Sequence, residues 1–271
     1  MAALGLIAGK GIYPRLLLEE ARKAGERRIC VAAFEGETAS ELGEAADAVC
    51  WMRVGQLGRL LDFFCQEHVD RAVMAGQITP GRLFDLRPDF KALVLLARLK
   101  ERNAESLFGA VAGALQSAGV TLLPATTHLE RFIAPPGWIA GPKPHRHLAR
   151  DIAFGWPIVK QIAALNVGQT VVVRKGTVLA VEGYDGTNAT IRRGGALASG
   201  AVVLKVSKPG QDMRFDVPVV GPDTLRVAAE SGIGAIVVET GKTLLLGLDE
   251  IRSLAQKHGV TISGNESTSD L

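Results

Sequence analysis

Apolar residues in the first half of the chain cluster into short runs separated by stretches with helical spacing. Leu4–Ala8, Ile29–Phe34, Val49–Val54 and Arg71–Ala75 read as strands of a parallel sheet covered on both faces. After the first run, Pro14 sits near a helix start, Leu17, Ala21 and Ala24 recur at helical spacing, and Gly25 marks the stop. Leu57, Leu60, Leu61 and Phe64 follow i, i+3, i+4, i+7, which predicts a helix over Gln56–His68. Helices at about 89–100 and 104–118 and a strand at Val120–Leu123 complete a Rossmann-like α/β unit.

The pattern then changes. Residues 133–147 read IAPPGWIAGPKPHRH, too rich in proline and glycine for a helix or an interior strand. The reading is therefore an N-terminal parallel-sheet domain over 1–131, a linker over 132–147, a distinct C-terminal α/β domain over 148–264 and a disordered tail over 265–271. In the second domain a helix near Leu148–Leu165 precedes strands Thr170–Arg174 and Val178–Glu182, joined at Lys175-Gly176 like a hairpin. A helix around Thr187–Leu197, a strand at Val202–Ser207 and a polar loop from Lys208 to Asp216 follow. Pro222 opens a helix, then come strands Ala235–Thr240 and Thr243–Leu246, a last helix and a short strand.

Composition narrows the function. The 271 residues carry 31 basic and 28 acidic side chains, a balance that argues against a nucleic-acid partner. Cys30, Cys50 and Cys65 form no CxxC pair and lie in apolar runs, as reduced core thiols of a cytoplasmic protein would. No window reaches the ~20 apolar residues of a membrane span.

Three groups of residues could carry chemistry. Gly9-Lys10-Gly11 closes the first strand, where glycines let backbone N–H groups approach a phosphate; a tight turn without ligand is the alternative. Pro14 occupies the third glycine position of a dinucleotide fingerprint, so that match is broken. Gly55-Gln56 and Gly76-Gln77 follow later strands of the same sheet and could share the site. The densest group is Lys205 to Pro218, in which Lys208, Gln211, Asp212, Arg214 and Asp216 crowd one loop. Cations and carboxylates together suit phosphoryl chemistry: Mg²⁺ takes one or two carboxylates plus phosphate oxygens, and a carboxylate can orient water. A solvated loop with local ion pairs is the alternative. Glu182, Asp185, Gly186 and Thr187, with Arg192 and Arg193 on the next helix, form a second group, and Glu239, Lys242 and Thr243 a third. His145 and His147 lack companions for zinc.

The segments LGLIAGKGIYP, GQLGRLL, VMAGQI, RLFDLRPD, DIAFGW, KPGQDMRFDVPVVG and ETGKTLLL together resemble the LpxI family, from about Leu4 to Gly264. The resemblance implies a magnesium-dependent diphosphatase of lipid A biosynthesis, converting UDP-2,3-diacylglucosamine to UMP and lipid X. It implies Asp216, or else Asp212, as catalytic and metal-binding acid, phosphate roles for Lys208 and Arg214, and a nucleotide role for Gly9, Lys10 and Gly11. Gly76, Gln77, Gln211, Arg192 and Arg193 complete the expected substrate contacts. Asn188 departs from the family, standing where an aspartate is common. An acylated substrate also needs apolar surface, at ~0.8 kcal/mol per buried CH₂. Candidates are Leu83-Phe84 through Leu99, with Lys91, Arg98, Lys100 and Arg102 around it, and Phe132, Ile133, Trp138 and Ile139. Contact with the cytoplasmic face of the inner membrane and pairing into a homodimer are left as open expectations. An NAD(P)-linked oxidoreductase and a non-enzymatic carrier of an acylated nucleotide sugar are the competing functions.

Overall fold

The computed structural model describes residues 3–79, 88–97, 99 and 104–266. The chain forms two compact units, one of residues 1–129 with Asp212–Asp216, the other of Glu130–Gln211 with 217–271.

In the first unit, β1 (Ala3–Ala8), β2 (Ile29–Phe34), β3 (Ala48–Met52), β4 (Val69–Ala75) and β5 (Thr121–Leu122) make one parallel sheet in the order β3-β2-β1-β4-β5. Every residue of β1 is buried, as a continuous apolar run between helical layers requires. The helix Tyr13–Lys23 accepts Pro14 in its first turn, where the missing N–H has no helical acceptor to lose. Phe64, on the helix Leu57–Gln66, is fully buried; a Cβ on Gly5 would stand 2.8 Å from its ring, so the glycine admits the ring to the sheet. A five-residue helix, Glu41–Ala45, was not legible in the sequence. Cys30 is buried, but Cys65 is exposed on the outer side of its helix, against the expectation of three core thiols.

The second unit holds β6 (Gly137–Ala140), β7 (Thr170–Arg174), β8 (Thr177–Val181), β9 (Val202–Lys205), β11 (Ala235–Glu239) and β13 (Thr261–Asn265), ordered β6-β13-β11-β9-β7-β8. β9, β11 and β13 run parallel, and β6, β7 and their partners pair antiparallel. β10 (Val219–Val220) and β12 (Leu244–Leu245) form a separate parallel pair. Lys175 and Gly176 both have positive φ, 46° and 71°, the backbone of the two-residue turn read from the sequence. The segment expected as a linker contributes β6, and the second unit begins at Glu130. Its prolines and glycines confine it to the sheet edge, where one side needs no ladder hydrogen bonds. β13 likewise extends through Asn265, the first residue of the expected tail; 267–271 lie outside the described residues.

Candidate functional site

The carboxyl ends of β1 and β4 are neighbours where the strand order reverses, the position at which open parallel sheets hold ligands. Here the two turns are stitched together. Lys10 N donates to Gln77 O (2.8 Å), Gln77 N to Lys10 O (3.2 Å), and Gly9 N to Ala75 O (2.8 Å). A Cβ on Gly9 would lie 2.5 Å from Gln77 O, and one on Gly76 would lie 2.7 Å from Lys10 O. These two glycines are therefore explained by backbone meeting backbone, and the N–H groups of Gly9 and Lys10 are committed within the sheet edge. Gly11, at φ 93°, faces open space. Lys10 Nζ reaches Thr79 Oγ1 (3.1 Å), whose N–H and hydroxyl both bond Glu37 Oε2 (3.1 and 3.0 Å). Glu37 and Thr79 were missed in the sequence because neither lies in a motif. Gln56, expected to face a ligand, turns its Oε1 back to Arg53 N (2.8 Å).

The loop that carries Asp212, Arg214 and Asp216 is built into this same unit. Ala125, just past β5, donates its N–H to Met213 O (2.8 Å) and accepts the Tyr13 hydroxyl on its own carbonyl (2.5 Å). Tyr13 follows the Gly9–Gly11 turn, so two hydrogen bonds connect the glycine turn to the acidic loop. Burial pushes the Tyr13 phenol far up, and it stays a protonated donor. Phe215 stacks on Phe108 (centroids 5.8 Å apart) at the margin of the first core, which makes the loop ordered. Within it, Arg214 grips Asp212 as a fork, Nε to Oδ1 at 2.9 Å and Nη2 to Oδ2 at 2.6 Å. That guanidinium holds the Asp212 carboxyl below the usual carboxylate range. Asp216 N donates to Asp212 O (3.0 Å), closing one helical turn and placing the two acids on one local scaffold.

Lys208, Gln211, Arg192 and Arg193 belong to the second unit. At the base of the loop, Lys208 N donates to Gln211 Oε1 (2.7 Å). Arg193 is committed to the helix Gly186–Leu197: it binds Asp185 Oδ2 (Nε, 3.1 Å), Val181 O (2.9 Å) and Thr190 Oγ1 (3.3 Å). Arg193 and Arg192 beside it are both exposed. Glu182 sits among Thr187 Oγ1 (2.8 Å), Gln169 N (3.1 Å) and the buried Lys205, whose Nζ also bonds Thr187 (2.7 Å). Burial alone would raise the Glu182 pKa, but the Lys205 charge and these donors outweigh it and lower it. Its stabilising contribution is therefore present at neutral pH and is lost as pH falls through the lowered value. Glu182→Gln should cost about 1–3 kcal/mol at pH 7. The gap to the parent should shrink below about pH 4 in urea titrations run at several pH values. A pH-independent gap would contradict the charge assignment.

Among the described residues no group of three or more His, Cys, Asp or Glu side chains gathers as a metal site. Magnesium does not require one, since it accepts one or two carboxylates with substrate phosphates. Both Asp212 oxygens are taken by Arg214. His145 and His147 face each other edge to face at 5.9 Å. For the acyl chains, Phe132 is buried and unavailable, whereas Trp138 is exposed. Phe90, Leu93 and Val94 form an exposed i, i+3, i+4 stripe on the helix Phe90–Ala97. Lys91 on that helix pairs with Asp62 (3.0 Å). Leu83, Phe84, Arg98, Lys100 and Arg102 lie outside the described residues.

Comparison with known proteins places both halves. A family model described as LpxI N-terminal domain matches residues 3–132, and one described as LpxI C-terminal domain matches 135–263. The UDP-2,3-diacylglucosamine pyrophosphatase LpxI of Caulobacter vibrioides is 28% identical over 276 residues, covering 97% of this chain and 98% of that protein. The biotin carboxylase domain of Hydrogenobacter thermophilus 2-oxoglutarate carboxylase shares 14% identity at a TM-score of 0.27, over 65% of this chain and 36% of that one. That likeness is too slight to bear on the fold.

Proposed function

The chain belongs to the LpxI family, and from that premise we propose that it hydrolyses the diphosphate bond of UDP-2,3-diacylglucosamine to UMP and 2,3-diacylglucosamine 1-phosphate (lipid X). The observation that carries the reading is the acidic loop itself. Asp212–Asp216 come from the second half of the sequence yet are tied into the first unit through Met213, Ala125 and Tyr13, beside the Gly9–Gly11 turn. Asp216 is assigned as the acid that orients the attacking water. Asp212 holds the Arg214 guanidinium, and Arg214 and Lys208 meet the phosphate charge. The water oxygen bonds the sugar-side phosphorus, the bridging P–O bond breaks, and UMP leaves with the bridging oxygen. A magnesium ion held by Asp216 and the substrate's phosphates would neutralise charge on the diphosphate.

An oxidoreductase is disfavoured by Pro14 at the third glycine position of the fingerprint and by the Gly9 and Lys10 amides, which bond Ala75 O and Gln77 O. The exposed Phe90–Leu93–Val94 stripe supports transient contact with the acyl chains or with the membrane surface that supplies them. Among the described residues no helix is long and apolar enough to cross a membrane. The test is incubation with UDP-2,3-diacylglucosamine and Mg²⁺ in ¹⁸O-water, with products read by mass spectrometry. Release of UMP and of sugar 1-phosphate carrying the label is expected, with none after chelation. Tight binding without release would make the protein a carrier instead.

A further inference from the structure

At the carboxyl ends of β9 and β11 lies a buried ion pair whose two partners come from distant parts of the sequence. Glu239, only 3% exposed, closes β11, and Lys160 projects from the helix Arg146–Ala164. Lys160 Nζ stands 3.0 and 3.2 Å from the two carboxylate oxygens. A carboxylate this deeply placed needs compensation, and the pair alone is a poor explanation for keeping it, because matched apolar residues usually serve stability as well or better. What distinguishes this pair is its third member. Ser207 donates both its N–H (2.7 Å) and its hydroxyl (2.8 Å) to Glu239 Oε2, and its carbonyl accepts from Lys160 Nζ (3.3 Å). Every polar group of Ser207 is thus held by the ion pair. Ser207 itself is 4% exposed and stands immediately before Lys208, whose N–H is in turn held by Gln211, the residue before Asp212.

The geometry points to Glu239 and Lys160 as positioning residues for the phosphate-handling loop: they clamp Ser207 and thereby fix where the segment bearing Lys208 and Gln211 leaves the second sheet. This role rests on the hydrolase reading for its effect on turnover, though the clamp itself does not. Its sequence signature is faint: Ser207 lies in the Lys205–Pro218 cluster and Glu239 in a separate strand-end group, while Lys160 lies in none, and nothing local joins the three.

Two neutral double variants separate clamping from mere stability. Lys160→Met with Glu239→Gln keeps an acceptor oxygen for Ser207 and strands no charge. Lys160→Met with Glu239→Met strands no charge either but removes the acceptor. We expect kcat for UMP release about 10- to 100-fold lower in the second than in the first. The second should also melt lower, because it leaves two buried Ser207 donors unpaired, and its amide hydrogen exchange should be fastest over residues 207–211 rather than uniformly raised. Ser207→Ala, which removes only the hydroxyl, should move exchange and turnover the same way by a smaller factor, and decides the matter if the Met/Met protein does not fold. Equal turnover and equal exchange in the two double variants, or an unchanged Ser207→Ala protein, would overturn the clamp. A parent protein that releases no UMP would instead remove the hydrolase reading, while the exchange comparison would still judge the clamp.

Discussion

Replacing Asp216 with alanine is expected to lower UMP release by about 10²- to 10⁴-fold, the range a positioned acid–base group supplies. Asp216 lies one turn beyond Asp212 in the acidic loop, and its backbone is set by the hydrogen bond to Asp212 O. The circular dichroism spectrum should be unchanged, because the anchors of the loop are Met213 and Phe215 and remain in place. Asp212→Asn should do less harm to the chemical step, since both Asp212 oxygens already serve Arg214. Wild-type turnover by the Asp216 variant in a UMP-release assay would take that residue out of the mechanism.

The second large effect concerns stability. Gly76 has φ 91°, and a Cβ there would sit 2.7 Å from Lys10 O, 2.9 Å from the Gly9 carbonyl carbon and 3.0 Å from Pro14 Cγ. A left-handed backbone costs an alanine roughly 1–2 kcal/mol, and overpacking against neighbours that cannot withdraw typically adds 1–3. Gly76→Ala should therefore lose about 2–5 kcal/mol in urea denaturation. A loss under about 0.5 kcal/mol would mean that the β1 and β4 turns are free to part.

How much of this was legible depends on the range of the interactions involved. Local periodicity carried the helices: Leu57, Leu60 and Phe64 do face the first core, and Pro14 does open its helix. The Lys175-Gly176 turn was equally local. The segment 137–140 was obscured because its prolines and glycines mimic a linker, while its strand character comes from β13, more than a hundred residues away. At the candidate site, the acids and cations of the 208–216 loop were visible as a cluster. Which acid would be gripped by the arginine was not visible, because fork geometry depends on backbone turns rather than composition. Gly9 and Gly76 were legible as glycines but not as each other's neighbours. Lys160, Ser207 and Glu239 became a group only once strands and helix were assembled. Glu37 and Thr79 likewise meet across 42 positions with no local pattern to announce them.

The placement of Asp212–Asp216 in the first unit has a consequence for how the protein comes into being. That unit, though it begins at the N-terminus, is not complete until residue 216 of 271 has been synthesised. Domains that are contiguous in sequence can fold as they emerge from the ribosome. Here the early domain must wait for a late segment, with the side of Phe108 that receives Phe215 uncovered in the meantime. A chain cut near residue 130 would leave the N-terminal fragment permanently in that waiting state. On the proposed roles of Asp212 and Asp216, a nascent or truncated chain lacking them would have no activity.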